Sequence, residues 1–223
     1  ENFGVTEAIS VMALGMTNVA TLPAPTFARR CRNSMRRKDD LTPQTFVSLS
    51  GAAQRDNLFL GGSGGETFEF SSEVTSVFPD MIGRSVPGYW ENVEWLGRLC
   101  QPFLRPACLI YDLGCSLGAV GWSIDRHLQL PVSLVAVDNS KAMIEQLRGN
   151  LAQVTTQANW EVVHADITRL SFRETRLVTM HYCLQFVPID GREALLHTLY
   201  DALEVGGALF ISEKVCGEND AEE

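Results

Sequence analysis

Three aspartates, Asp112, Asp138 and Asp166, each close a mostly apolar run, and the first of them opens the bend Asp112-x-Gly114-x-x-x-Gly118. Ligands of open α/β sheets bind beyond the carboxyl ends of the strands, so acids and glycines at such ends are where chemistry is expected. Gly114 removes a Cβ where backbone must approach a ligand, Gly118 permits close packing of helix on strand, and Ser116 stands in place of a middle glycine. Asp138, 26 residues after Asp112, is placed to accept both hydroxyls of a ribose, which suits a nicotinamide dinucleotide or S-adenosylmethionine alike. Asp166 separates the two. An acid at the third strand end, followed by the apolar Ile167, matches adenine recognition in S-adenosylmethionine enzymes, with the carboxylate taking the exocyclic amine. The competing role for Asp166 is a helix N-cap.

Positioning these residues requires parallel strands alternating with helices. The sequence predicts strands over 108–113, 133–137, 160–165, 177–182 and 208–212, with helices over 72–78, 91–103, about 118–128, from Ser140 onward, and 192–203. Ser85-Val86-Pro87-Gly88-Tyr89 reads as a turn, and Gly206-Gly207 as the turn into the last strand. Five strands in this alternation imply an α/β, Rossmann-like, doubly wound and mostly parallel sheet. Residues 61–223 are therefore expected to form one ligand-binding domain.

Residues 1–60 read as a poorly ordered or targeting extension. The uncharged stretch 8–28 is interrupted by Gly15, Thr17, Asn18, Pro23 and Pro25, and a basic cluster from Arg29 to Lys38 follows. Gly61-Gly62-Ser63-Gly64-Gly65 lacks the Lys-Ser/Thr of a phosphate loop and reads as a linker. The first residue is Glu, which suggests a fragment or a processed form.

The 223 residues carry a net charge of −9, and residues 61–223 hold 22 acids against 11 bases. An acidic body disfavours direct nucleic-acid binding and suits a small-molecule substrate. The six cysteines form no CxxC pair and the four histidines no HxxxH pattern, so a reducing, cytoplasmic setting and no metal are expected.

Beyond these patterns, the segments Val77-Phe78-Pro79-Asp80-Met81-Ile82, Arg84-Ser85-Val86-Pro87-Gly88-Tyr89, Tyr111-Asp112-Leu113-Gly114-Cys115-Ser116-Leu117-Gly118-Ala119, Asp138-Asn139-Ser140, Leu184-Gln185-Phe186 and Ser212-Glu213-Lys214 resemble the carboxy-S-adenosyl-L-methionine synthase family, within the class I S-adenosylmethionine-dependent methyltransferase superfamily. The likeness runs from about Arg55 to Lys214. It implies a transferase that carboxylates the methyl carbon of S-adenosylmethionine with prephenate, releasing phenylpyruvate and supplying modification of the transfer-RNA wobble uridine. It further implies a homodimer that touches neither nucleic acid nor membrane. Carried over by motif, the cofactor contacts would be Tyr89, Gly114, Cys115, Ser116, Asp138, Asn139, Asp166, Ile167 and His181, with Cys115 acting as a backbone donor and no catalytic residue assigned.

Two departures from the family pattern stand out. His181 occupies the position where the family has Asn, and the family continues past the fifth strand of the domain with two more strands and an arginine that pairs with the ligand's carboxylate. The expectation is thus a sheet without its last two strands and with an exposed edge. An ordinary methyltransferase acting on a small acceptor, or an inactive cofactor-binding remnant, are the alternatives.

Overall fold

A computed structural model describes residues 6–13, 20–23 and 72–215. The strands are β1 (Thr6–Ala13), β2 (Ala20–Pro23), β3 (Leu109–Leu113), β4 (Ser133–Asp138), β5 (Asn159–His164), β6 (Thr175–His181) and β7 (Leu203–Val215); the helices are α1 (Ser72–Ser85), α2 (Tyr89–Cys100), α3 (Ala119–His127), α4 (Lys141–Leu151) and α5 (Ile189–Ala202). They build one sheet in the order β2-β1-β7-β6-β3-β4-β5. Strands β3 to β7 run parallel, with β3 between β4 and β6. The order therefore reverses direction at β3 and opens a crevice between the tips of β3 and β6, where such sheets bind ligands.

Alternation along β3 shows why its apolar run is buried on both faces. Ile110 belongs to one core cluster with Leu96, Cys100, Val120, Ile124, Ile144 and Leu147 from α2, α3 and α4. Tyr111 and Leu113 belong to another, with Leu195 and Leu199 of α5. A strand clamped this way needs apolar side chains on both sides, which is why it lacks a polar face. Ser140 caps α4 by accepting from the N–H of Met143 at 3.3 Å, a contact worth about 1 kcal/mol.

The structure departs from the sequence reading in three places. Helix α1, expected over 72–78, runs on to Ser85 and carries Pro79 internally, and α2, expected over 91–103, spans Tyr89–Cys100. Gly206-Gly207 is not a turn between helix and strand. Strand β7 passes through it from Leu203, with a register shift that pairs Leu203 with Thr175 and Ala208 with Leu177, so residues 204–207 bulge out against the single Arg176, more than the one extra residue of an ordinary bulge. The edge expected to be bare on β7 is occupied: β1 pairs with it antiparallel over eight positions, from Thr6 opposite Val215 to Ala13 opposite Ala208, and β2 pairs with β1. Part of the segment read as a poorly ordered extension thus supplies backbone partners to the sheet; the rest of residues 1–60, with the glycine-rich 61–65 stretch, lies outside the described residues.

Candidate active site

One cavity of about 1050 Å³ opens at the strand tips, and all nine residues singled out from the sequence, Tyr89, Gly114, Cys115, Ser116, Asp138, Asn139, Asp166, Ile167 and His181, lie on its wall. Gly114 sits in the left-handed region with φ 69°, where a side chain is strained. A Cβ there would also come within 2.7 Å of Cys183 Cβ on the chain leaving β6, so the absence of a side chain lets the two strand tips approach. Gly118 is likewise left-handed, and a Cβ on it would meet Leu147 Cδ1 at 2.8 Å; the close packing it permits is against α4 rather than against the strand.

The bend is tied down from within. Gly114 and Cys115 both donate their N–H groups to the carbonyl of Val137, at 2.9 and 3.0 Å. Cys115 is therefore not the free backbone donor expected, because β4 already takes its proton. Ser116 N–H donates to Asp138 Oδ2, and Ser140 N–H to Asp138 Oδ1, each at 2.8 Å. Both oxygens of Asp138 keep a second lone pair for a ligand. Burial pushes the Asp138 carboxyl up, against the opposing pull of these N–H donors.

Asp166 accepts from Thr168 N–H at 2.9 Å and Thr168 Oγ1 at 2.7 Å, capping the short 3-10 turn Ile167–Arg169. Those hydrogen bonds hold its carboxyl below the ordinary range. It occupies the cap role and the cavity wall together. Asn139 uses its carbonyl to bind His164 Nε2 at 3.0 Å.

At the other end of the crevice, His181 is 8% exposed and neither ring nitrogen has a hydrogen-bond partner. Burial lowers its pKa to about 3, so the ring is neutral and offers one donor and one acceptor. Tyr89 and Tyr182 flank it, with ring centroids 5.0 and 4.5 Å away. Burial, and secondarily the Asp112 carboxylate, keeps the Tyr89 phenol protonated. The Cys115 thiol is pushed up by burial and by Asp112 and Asp138, which makes it inert as a nucleophile.

Further wall residues stand outside the set of cofactor contacts expected from the sequence. Asp112 lines the cavity, accepting from Thr179 Oγ1 at 2.9 Å and Gly121 N–H at 3.1 Å; burial raises its pKa to about 6. Its place in the glycine bend was the available signal. Tyr182 lines the wall too, in a left-handed conformation with φ 52°, for which no local sequence signal exists. Lys214 reaches the cavity from β7.

Known proteins place this geometry. A methyltransferase-domain profile matches residues 110–207. A solved protein of Methanococcus maripaludis described as an S-adenosyl-L-methionine-dependent methyltransferase superposes with a TM-score of 0.50 at 19% identity, covering 67% of each chain. The chain has the fold of the class I S-adenosylmethionine-dependent methyltransferases.

Within that class, the carboxy-S-adenosyl-L-methionine synthase of Cronobacter sakazakii is 39% identical over 75% of this chain and 68% of its own length. That of Stutzerimonas stutzeri is 45% identical over 71% and 66%, and that of Pectobacterium atrosepticum 40% over 72% and 66%. The chain belongs to the carboxy-S-adenosyl-L-methionine synthase family. It spans slightly less than two thirds of the length of the Stutzerimonas and Pectobacterium relatives. No helix among the described residues is long and apolar enough to cross a membrane.

Proposed function

We propose that this chain binds S-adenosylmethionine in the strand-tip cavity and carboxylates its methyl carbon with prephenate. In the balanced reaction the ring carboxyl of prephenate is lost, its hydroxyl departs as water with a methyl proton of S-adenosylmethionine, and a new carbon–carbon bond joins the carboxyl to that methyl carbon. Phenylpyruvate remains. The positive sulfonium makes the methyl protons removable by stabilising the adjacent carbanion.

The observation that carries this reading is the convergence of the Gly114 bend, the buried Asp138 and the unpartnered His181 on one cavity in a member of this family. Asp138 would hold the ribose, Asp166 and Ile167 the adenine, and His181 with Tyr89 the methionine end. Aromatic faces beside a sulfonium also favour its charge. We extend the proposal to a cytoplasmic homodimer whose product feeds wobble-uridine modification in transfer RNA without direct contact with the RNA.

Purified protein incubated with S-adenosylmethionine and prephenate is expected to yield a nucleoside heavier than the cofactor by one carbon dioxide, read by mass spectrometry. Recovery of the unmodified cofactor alone, with no prephenate-dependent phenylpyruvate, overturns the reading. The imidazole at position 181, where the family has an amide, favours ordinary methyl transfer to a small acceptor as the second reading; label passing from the cofactor's methyl group to an acceptor would establish it.

A further inference from the structure

The cavity lies at the upper end of the size range of small-molecule sites. Drug-sized ligands fill pockets of about 300–1,000 Å³, and this one reaches about 1050 Å³. Its acids, Asp112, Asp138 and Asp166, stand at the tips of β3, β4 and β5, where they repel an incoming anion. Three cations also reach the wall. Two of them are engaged: Lys141 faces Glu145 at 3.6 Å, and Arg169 faces Asp166 at 3.7 Å. Lys214, at the far end of β7, makes no hydrogen bond or ion pair with residues 72–213.

Its neighbour in sequence explains how the charge stays available. Successive strand residues point to opposite faces, and Glu213 turns towards the 3-10 turn Leu184–Phe186, where Oε1 accepts from Leu184 N–H at 2.6 Å and Gln185 N–H at 3.3 Å. That acid is consumed in fixing the turn, and Arg192 holds the same turn by donating to the carbonyls of Val187 and Gln185. The turn in turn presents Phe186, which is 63% exposed and lines the same cavity as Phe78, Met81 and Ile82 of α1. Where β7 meets this turn, an exposed aromatic ring and the Lys214 cation thus share one wall of the cavity.

We infer that Lys214 is the anion-recognising residue for the second substrate, a small carboxylate whose side-chain carboxylate it holds with the six-membered ring lying beside the 184–186 turn. The inference rests on the proposed function for the identity of the cofactor. A lysine suits the task because its ammonium is a mobile point charge that follows a carboxylate without demanding bidentate geometry.

The test uses the full chain saturated with S-adenosylmethionine and titrated calorimetrically with phenylpyruvate, with 2-phenylethanol as the uncharged control. Loss of a charge-assisted contact is expected to weaken phenylpyruvate by about ten- to a hundredfold in Lys214→Met, with S-adenosylmethionine affinity within twofold of the unmodified chain. Lys214→Arg should restore most of the loss, and 2-phenylethanol should bind all three proteins alike. Unchanged phenylpyruvate affinity in Lys214→Met, or no binding of phenylpyruvate by the unmodified chain, overturns the inference. Lysine-dependent binding without a carboxylated product upholds it and overturns the proposed reaction instead.

Discussion

Gly114→Ala is the sharpest perturbation of the crevice, because two independent costs meet at one atom. The left-handed φ of 69° is worth about 1–2 kcal/mol against any L side chain. The new Cβ would also press on Cys183, with its Cβ 2.7 Å away, and overpacking of this sort costs about 1–3 kcal/mol. The expected destabilisation is roughly 2–5 kcal/mol, seen as a fall in Tm of roughly 5–15 °C. Cofactor affinity should drop at the same time, because the tips of β3 and β6 must separate. A double-mutant cycle isolates the steric part. Cys183→Gly removes both atoms the methyl would strike, so in that background Gly114→Ala should cost only the backbone strain, and the two changes should couple favourably by about 1–3 kcal/mol. Coupling within about 0.5 kcal/mol of zero, measured by urea denaturation, would refute the close-approach account and leave only the dihedral.

Asp138→Ala leaves the N–H groups of Ser116 and Ser140 without their acceptor; a loss of roughly 2–4 kcal/mol of stability and of S-adenosylmethionine binding is expected by denaturation and calorimetry, whereas Asp138→Asn, which keeps one acceptor oxygen and sets an amide donor against the other N–H, should recover at most part of the stability and still lose the ligand. Two buried groups should give opposite pH slopes. Asp112 is raised from 3.8 to about 6, so the folded state holds its proton more tightly and the contribution to stability falls as pH rises across that window; His181 is lowered from 6.5 to about 3, so stability rises with pH across its own window. Each slope is about 1.4 kcal/mol per pH unit, and between about pH 4 and 6 they oppose each other. Asp112→Asn should therefore reveal stability increasing with pH there, and His181→Asn stability decreasing with pH; identical pH profiles for the two variants would contradict both assignments.

What the sequence disclosed followed the range over which each signal acts. The β3 run from Leu109 to Leu113 and the bend after it were legible because burial on both faces and a tight turn leave local marks. Ser140 announced α4 by its capping chemistry, and the strand-end acids pointed to the crevice through the rule that parallel sheets bind ligands at their tips. Three features resisted. The bulge at Gly206-Gly207 and a turn have the same glycine signature, and only the ladder with β6 separates them. Tyr182 carries a left-handed backbone that its residue type disfavours, imposed by the surrounding strand ends. Strand β1 was hidden because its partner lies about two hundred residues away, and a pairing that distant leaves no periodic mark; the uncharged stretch 8–28 that overlaps it suits a poorly ordered or targeting segment equally well.

That distant pairing has a kinetic corollary. With Thr6 hydrogen-bonded alongside Val215, the ladder that covers β7 cannot form on a ribosome until almost the whole described chain has emerged, and closing so long a loop is slow. The nascent β1 must wait with its amides in water or against a chaperone, and the parallel strands must assemble without it. Amide exchange should report the same asymmetry in the mature protein. Protons along the β1–β7 ladder would trade with solvent through a local opening of the sheet margin, while those of β3, enclosed between β4 and β6, would exchange only when the entire domain unfolds.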